Sequence, residues 1–218
     1  MKRWFIVLWC LGASLAMAQE RKWVFRFGSS ALDQSSFQQL DFASDYFGNK
    51  GQLRTTVSGW ALTGSRADAY EVRCDEIFSD CAIAVLRSRS GTTGPFGMGS
   101  LTHTEQASRW RGMRLKLRAE LKAGSVDGWA GLWMRVDGPG GRPLAFDNMQ
   151  NRPLRGTTGF DWHTVVLDVP EAAERVSFGV LVHGPGAVLV KDLELEAVDD
   201  TVPTTDLMEP LRAQAVAH

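Results

Sequence analysis

Apolar and polar residues alternate with a period of two along most of this chain. In "MRLKLRAELKAG", Met113, Leu115, Leu117, Ala119 and Leu121 form one row, and Arg114, Lys116, Arg118, Glu120 and Lys122 form the other. Successive side chains of a strand point to opposite faces, so this is a strand with one wet face. "HTVVLDVP" aligns Val165, Leu167 and Val169, and "RVSFGVLVHG" aligns Val176, Phe178, Val180 and Val182. "YEVRC" and "CAIAVLRSR" read as two neighbouring strands joined by "DEIFSD". Turn signals break the runs at short intervals: "TGSRAD", "GTTGPFG", "DGPGG", "RGTTG" and "HGPG". Roughly eight to ten short strands with glycine-rich turns and no amphipathic helix predict an all-β sandwich or barrel.

One strand departs from the simple pattern. In "GWAGLWMRVDGPGG", Ala130, Leu132, Met134 and Val136 make an apolar row. The opposite row is Trp129, Gly131, Trp133, Arg135 and Asp137, which sets planar aromatic surface beside charged hydrogen-bonding groups. The apolar row already supplies a core face, so the second row is free for a ligand. A pyranose ring offers an apolar face for stacking and a rim of hydroxyls, and these are the groups that would meet it. Just beyond, "AFDNMQNR" gathers Asp147, Asn148, Gln150 and Arg152 after a strand. Such groups orient hydroxyls, but Asp and Asn also bond their own backbone in turns. The expected ligand-binding set is Trp133, Arg135, Asp137, Asp147, Asn148 and Gln150, with His183 at the border of the groove. A β-bulge near Gly131 would rotate Trp133 into the core.

The start of the chain follows other rules. "MKRWFIVLWCLGASLAMA" opens with Lys2 and Arg3, continues with an apolar run too short to span a bilayer comfortably, and ends Ala16-Met17-Ala18. That predicts a signal peptide over 1–18, cleavage before Gln19, a periplasmic or secreted location, and no stable membrane insertion afterwards. Cleavage would remove Lys2, Arg3 and Cys10, moving the net charge from −1 to −3 and leaving Cys74 and Cys81. Two cysteines in an oxidising compartment predict a disulfide. The near-balance of 24 basic and 25 acidic residues argues against nucleic acid as a partner.

The segments "LDF", "GWALTGSRADAYEV", "WRGMRLKLRAEL", "GWAGLWMRVDGPGGRPLAFDNMQNRPLRGTT", "DWHTVVLDVP" and "VSFGVLVHGPGAVLVKDLELE" resemble, in order, a bacterial carbohydrate-binding-module-like jelly roll of the galactose-binding-like type. The resemblance covers roughly 37–198 and implies that Trp60 and Trp110 pack as structural aromatics. It implies a two-sheet antiparallel jelly-roll β-sandwich whose concave sheet can carry a groove, and it implies no single activity. Residues 19–36 are expected as a lead-in or edge strand, and 199–218 as a flexible tail. The expected partner is a carbohydrate or cell-envelope glycan. No cofactor is called for; a structural calcium would find Asp192 and Glu194 near the last strand, but no spaced oxygen-ligand loop accompanies them.

Catalytic motifs are absent: the sequence contains no G-x-S-x-G, H-E-x-x-H or P-loop. A glycosidase carboxylate pair has no local signature, and Asp137 with Asp147 is the one pair worth nominating. The sequence therefore points first to a non-catalytic sugar-binding sandwich. A structural or protein-interaction sandwich comes second and a small glycoside hydrolase third.

Overall fold

The alternation in "RLKLRAELKAG" becomes strand β6 (Arg114–Gly124), in which Leu115, Leu117, Ala119 and Leu121 are fully buried. The computed structural model describes residues 22–25, 59–74, 83–92 and 97–209. Before β6 come β1 (Lys22–Phe25), β2 (Ala61–Thr63), β3 (Tyr70–Cys74), β4 (Ala84–Ser88) and β5 (Met98–Gln106). After it come β7 (Val126–Asp137), β8 (Pro143–Asp147), β9 (Leu154–Gly156), β10 (Asp161–Asp168), β11 (Arg175–His183) and β12 (Ala187–Val198).

Two antiparallel sheets result. The first has the order β10-β6-β12-β4-β3, with β1 also on β12; the second has the order β2-β5-β11-β7-β8, with β9 also on β7. From β4 to β7, and again from β10 to β12, successive strands alternate between the sheets. That wrapping is the jelly-roll arrangement of a β-sandwich. The core lies between the sheets. Leu132, Met134 and Val136 of β7 and Val176, Phe178 and Val182 of β11 meet Leu115, Leu117 and Leu121 of β6 there. Trp110 is fully buried among them, and Trp60 packs on their margin against His103 and Phe178.

The outward face of the first sheet is a ladder of opposite charges. Lys116 pairs with Glu196, Arg118 and Lys22 with Glu194, and Lys191 with Glu120. Burial alone would push the Glu194 carboxyl up, but Lys22 and Arg118 hold it below its ordinary value. Glu194 is thus engaged by two cations rather than facing an ion site with Asp192, which sits in the bulge where β12 shifts register against β6.

The segment after β12 corrects one expectation. Residues 199–209 are tied down rather than loose. Arg114 donates to the carbonyls of Asp200 and Val202, and Thr205 exchanges hydrogen bonds with Val166 of β10. Asp206 accepts from the amide of Phe146 in β8, and Leu207 donates to the Phe146 carbonyl. One strap therefore bonds an edge of each sheet. Pro203, Pro210 and the small residues around them suggested a tail, but the short side chains of Thr205 and Asp206 bind backbone that the strands leave unpaired. The expected leader over 1–18, the Cys81 position and the side chain of Cys74 lie outside the described residues, and so does the expected disulfide.

Candidate functional site

The candidate surface is the outward face of the second sheet, and the pairing of β7 defines it. β7 runs without a break against β11, with Trp129 opposite His183, Trp133 opposite Gly179, Arg135 opposite Ser177 and Asp137 opposite Arg175. No bulge interrupts Ala130–Val136 on that side, and those apolar residues are buried. Trp133 therefore points outward, and it is half-buried. Its indole N–H donates to the Ser100 hydroxyl at 2.8 Å. Ser100 belongs to β5, and β11 lies between β5 and β7. Neighbouring strands are about 4.8 Å apart, so an indole reaching that hydroxyl lies across β11 rather than standing away from it. Gly179, the residue of β11 directly opposite Trp133, carries no side chain. A Cβ at Gly179 would in any case fall 1.9 Å from the Leu101 carbonyl.

The rest of the face is rich in hydroxyls. Ser100 and Thr102 of β5 and Thr63 of β2 are hydrogen-bonded in series, and Thr104 bonds Ser177 at 2.9 Å. Arg135, whose side chain is 44% exposed, holds the Asp137 carboxylate through Nε and Nη2. Asp137 itself is buried, so Arg135 is the accessible member of the pair. At the far end, Trp129 and the exposed His183 stack with ring centres 6.3 Å apart and planes 18° apart.

Asn148 and Gln150 flank this face through a device that the sequence hides. A Cβ on Gly131 would lie 3.0 Å from Met149 Cβ and 3.3 Å from the Asn148 carbonyl, so a side chain there would press the 148–153 loop away from β7. Met149, at φ 61°, fills the gap between β8 and β9, and its sulfur accepts the Leu132 amide at 3.3 Å. Asn148, expected on the binding face, is instead buried and accepts the Gln150 amide, the turn chemistry of an Asx motif that shapes the loop. Gln150 is exposed.

Asp147 does not belong to the face. It pairs with Met134, a core residue, so its side chain turns inward, where it is fully buried. Arg152 takes it in a two-pronged ion pair, with Nη2–Oδ2 2.6 Å, and also donates to the Thr164 carbonyl of β10 at 2.9 Å. The Asp147 carboxylate also accepts the Met149 amide at 2.8 Å. Asp147 thus clamps the loop and ties the second sheet to the first. The nominated hydrolytic pair fails with it, since Asp137 and Asp147 occupy opposite faces of one sheet.

Sequence reasoning missed Ser100, Thr102, Thr104 and Thr63. The signal was present: "GSLTHTEQ" alternates a hydroxyl row with Gly99, Leu101 and His103. Among the described residues, no group of three or more His, Cys, Asp or Glu side chains could hold a metal ion, and no helix is long and apolar enough to cross a membrane.

The chain is a two-sheet jelly-roll β-sandwich, similar in form to carbohydrate-binding modules. Solved structures similar to it include a xylan-binding domain, CBM22-1, from Paenibacillus barcinonensis, at 9% identity over 67% of this chain and 90% of that one, with a TM-score of 0.45. A family 29 carbohydrate-binding module from Piromyces equi matches at 13% identity over 88% and 99%, also with a TM-score of 0.45. The enzymatically active domain of bacteriophage CBA120 tailspike protein 4 matches at 18% identity over 66% and 20%, with a TM-score of 0.48. Among curated proteins, the chain is 38% identical over 161 residues to the uncharacterised HTH-type transcriptional regulator YbfP of Bacillus subtilis (strain 168). That match covers 72% of this chain, and the chain spans about half (54%) of the regulator's length. No protein-family model matches the chain.

Proposed function

We propose that the protein is an exported, non-catalytic β-sandwich that binds a carbohydrate on the outward face of its second sheet. The observation that carries the reading is the Trp133 indole, held across β11 by Ser100 with Arg135 on the same strand. A half-buried aromatic plane set among hydroxyl groups stacks on the apolar face of a sugar and surrounds it with hydrogen-bonding groups. Arg135, Gln150 and His183 supply the rim.

The test is affinity electrophoresis through gels containing soluble xylan, glucomannan or mixed-linkage β-glucan. Wild-type protein is expected to be retarded by at least one of them, and Trp133→Ala to run freely while still melting cooperatively. Equal retardation of the two proteins overturns the reading. The leader supports export, and the expected Cys74–Cys81 bond goes with it. Intact mass from the native envelope should begin at Gln19, and neither thiol should alkylate before reduction. The likeness to the Bacillus subtilis regulator supports a second reading, in which the same face senses its ligand on behalf of a DNA-binding unit. A native product carrying such a unit and retaining its first residues would favour that reading over export.

A further inference from the structure

With the Ser100 hydrogen assigned to the Val180 carbonyl, counting hydrogens along the hydroxyl series beside Trp133 gives the series one direction. The indole N–H can only donate, and it donates to Ser100 Oγ at 2.8 Å. The Val180 carbonyl can only accept, and it takes the Ser100 hydroxyl hydrogen at 3.0 Å. Ser100 has no second hydrogen, so across its 3.0 Å contact with Thr102 the donor is Thr102. Thr102 has then used its own hydrogen. Across the 2.6 Å contact between Thr102 and Thr63, the donor is Thr63. The series runs one way, from Thr63 through Thr102 to Ser100, and it ends on a backbone carbonyl. Ser100 is 2% exposed and Thr102 9%, so water has little access to reset the inner links.

From this we propose that the Thr63–Thr102–Ser100 series presents the ligand with a hydrogen-bond acceptor at Thr63 and with no hydroxyl donor, leaving donation to the rim. The statement rests on the carbohydrate reading above and sharpens it. Thr63 is exposed on β2, its hydrogen points inward to Thr102, and a lone pair remains toward solvent. The indole hydrogen is equally committed, so Trp133 offers a plane and no donor. The ligand must bring a free hydroxyl to Thr63. A carboxylate, a sulfate ester or an O-methyl group at that position has no hydrogen to give and is excluded. The ligand class is a glycan whose hydroxyl at β2 is free and unsubstituted. Ser100 is the positioning residue: it sets both the indole plane and the polarity of the series.

Two measurements test this separately. The first needs no ligand. Hydroxyl-proton NMR on the full chain should place the Thr102 hydrogen toward Ser100 and the Thr63 hydrogen toward Thr102. The Trp133 indole hydrogen should be protected from exchange, with that protection lost in Ser100→Ala. A Thr102 hydrogen directed at Thr63 overturns the polarity. The second uses soluble xylan, glucomannan and mixed-linkage β-glucan, each native and fully O-methylated. Thr63→Val should weaken binding of the retained polysaccharide about tenfold, Thr63→Ser should stay within about twofold of wild type, and methylated forms should not bind. Unchanged binding by Thr63→Val, or binding of the methylated chain, overturns the acceptor role. If no probe binds while the hydrogens lie as assigned, the carbohydrate reading falls and the polarity stands.

Discussion

Replacing Arg152 by methionine tests the clamp that holds the loop beside the binding face. Asp147 is fully buried, and its carboxylate has two kinds of partner: the Arg152 guanidinium through both oxygens and the Met149 amide. Arg152→Met removes the cation and leaves a charge in the interior with one backbone donor. Breaking one side of a buried pair costs about 3–5 kcal/mol, because the remaining charge is uncompensated. For a domain of this size each kcal/mol lowers the melting temperature by about 2–4 °C, so the expected drop is roughly 6–20 °C. Asp147→Asn behaves differently. It keeps an acceptor for the Met149 amide, and Arg152, whose side chain is 34% exposed, retains water and the Thr164 carbonyl. Its cost should be nearer about 1–2 kcal/mol. The double variant should be more stable than Arg152→Met alone, since it strands no charge. Denaturant melts of the four proteins give the coupling directly. A loss under about 1 kcal/mol in Arg152→Met, or strict additivity in the double variant, would refute the clamp.

Three further outcomes follow from the same geometry. Burial, with a smaller contribution from Arg152, holds the His163 imidazole below its ordinary value near 6.5, against the opposing pull of Asp161. The unfolded chain then takes the proton more readily, so the associated stability is present above that value and lost as pH falls through it. His163→Gln should flatten the fall in melting temperature between about pH 7.5 and 5.5, and parallel profiles would sink this assignment. Gly179→Ala sets a Cβ 1.9 Å from the Leu101 carbonyl, so β5 and β11 must separate, at a cost of about 3 kcal/mol or more by thermal melt. Asp206→Ala removes the acceptor for the Phe146 and Met208 amides, at about 1–2 kcal/mol. Amide exchange should quicken at Phe146 and Leu207 and stay unchanged at Met134.

The sequence disclosed the fold wherever one side of a strand is dry. The rows through Leu115, Val165, Phe178 and Met134 lie on the inner faces because burial enforces period two over long stretches. The outward placement of Trp133 was legible only in part: its apolar neighbours at 132 and 134 favour it, but a bulge near Gly131 would have reversed it, and the unbroken register of β7 on β11 decides. Asp147 was not legible. Its direction depends on which residue of β7 it pairs with, and pairing register is a tertiary fact that a five-residue edge strand does not encode. Met149 and Gly131 were hidden by the same limit, because a loop lying against a strand leaves no periodic trace. The hydroxyl row of β5 was written in plain alternation, but serine and threonine are common on any wet face. Only the arrival of the Trp133 indole from two strands away gives that row its meaning.

The strap over residues 204–207 has a consequence for how the protein can be shortened. β10 and β8 lie at the rims of their sheets, and unpaired rim backbone templates the addition of foreign strands. At Val166 and Phe146 that backbone is already occupied from within, and Pro203, just before the strap, has no amide to offer. A version trimmed at residue 198, where the strand pattern stops, would keep every core residue and expose both rims. Self-association through strand addition, rather than loss of the melting transition, is the failure to expect of it.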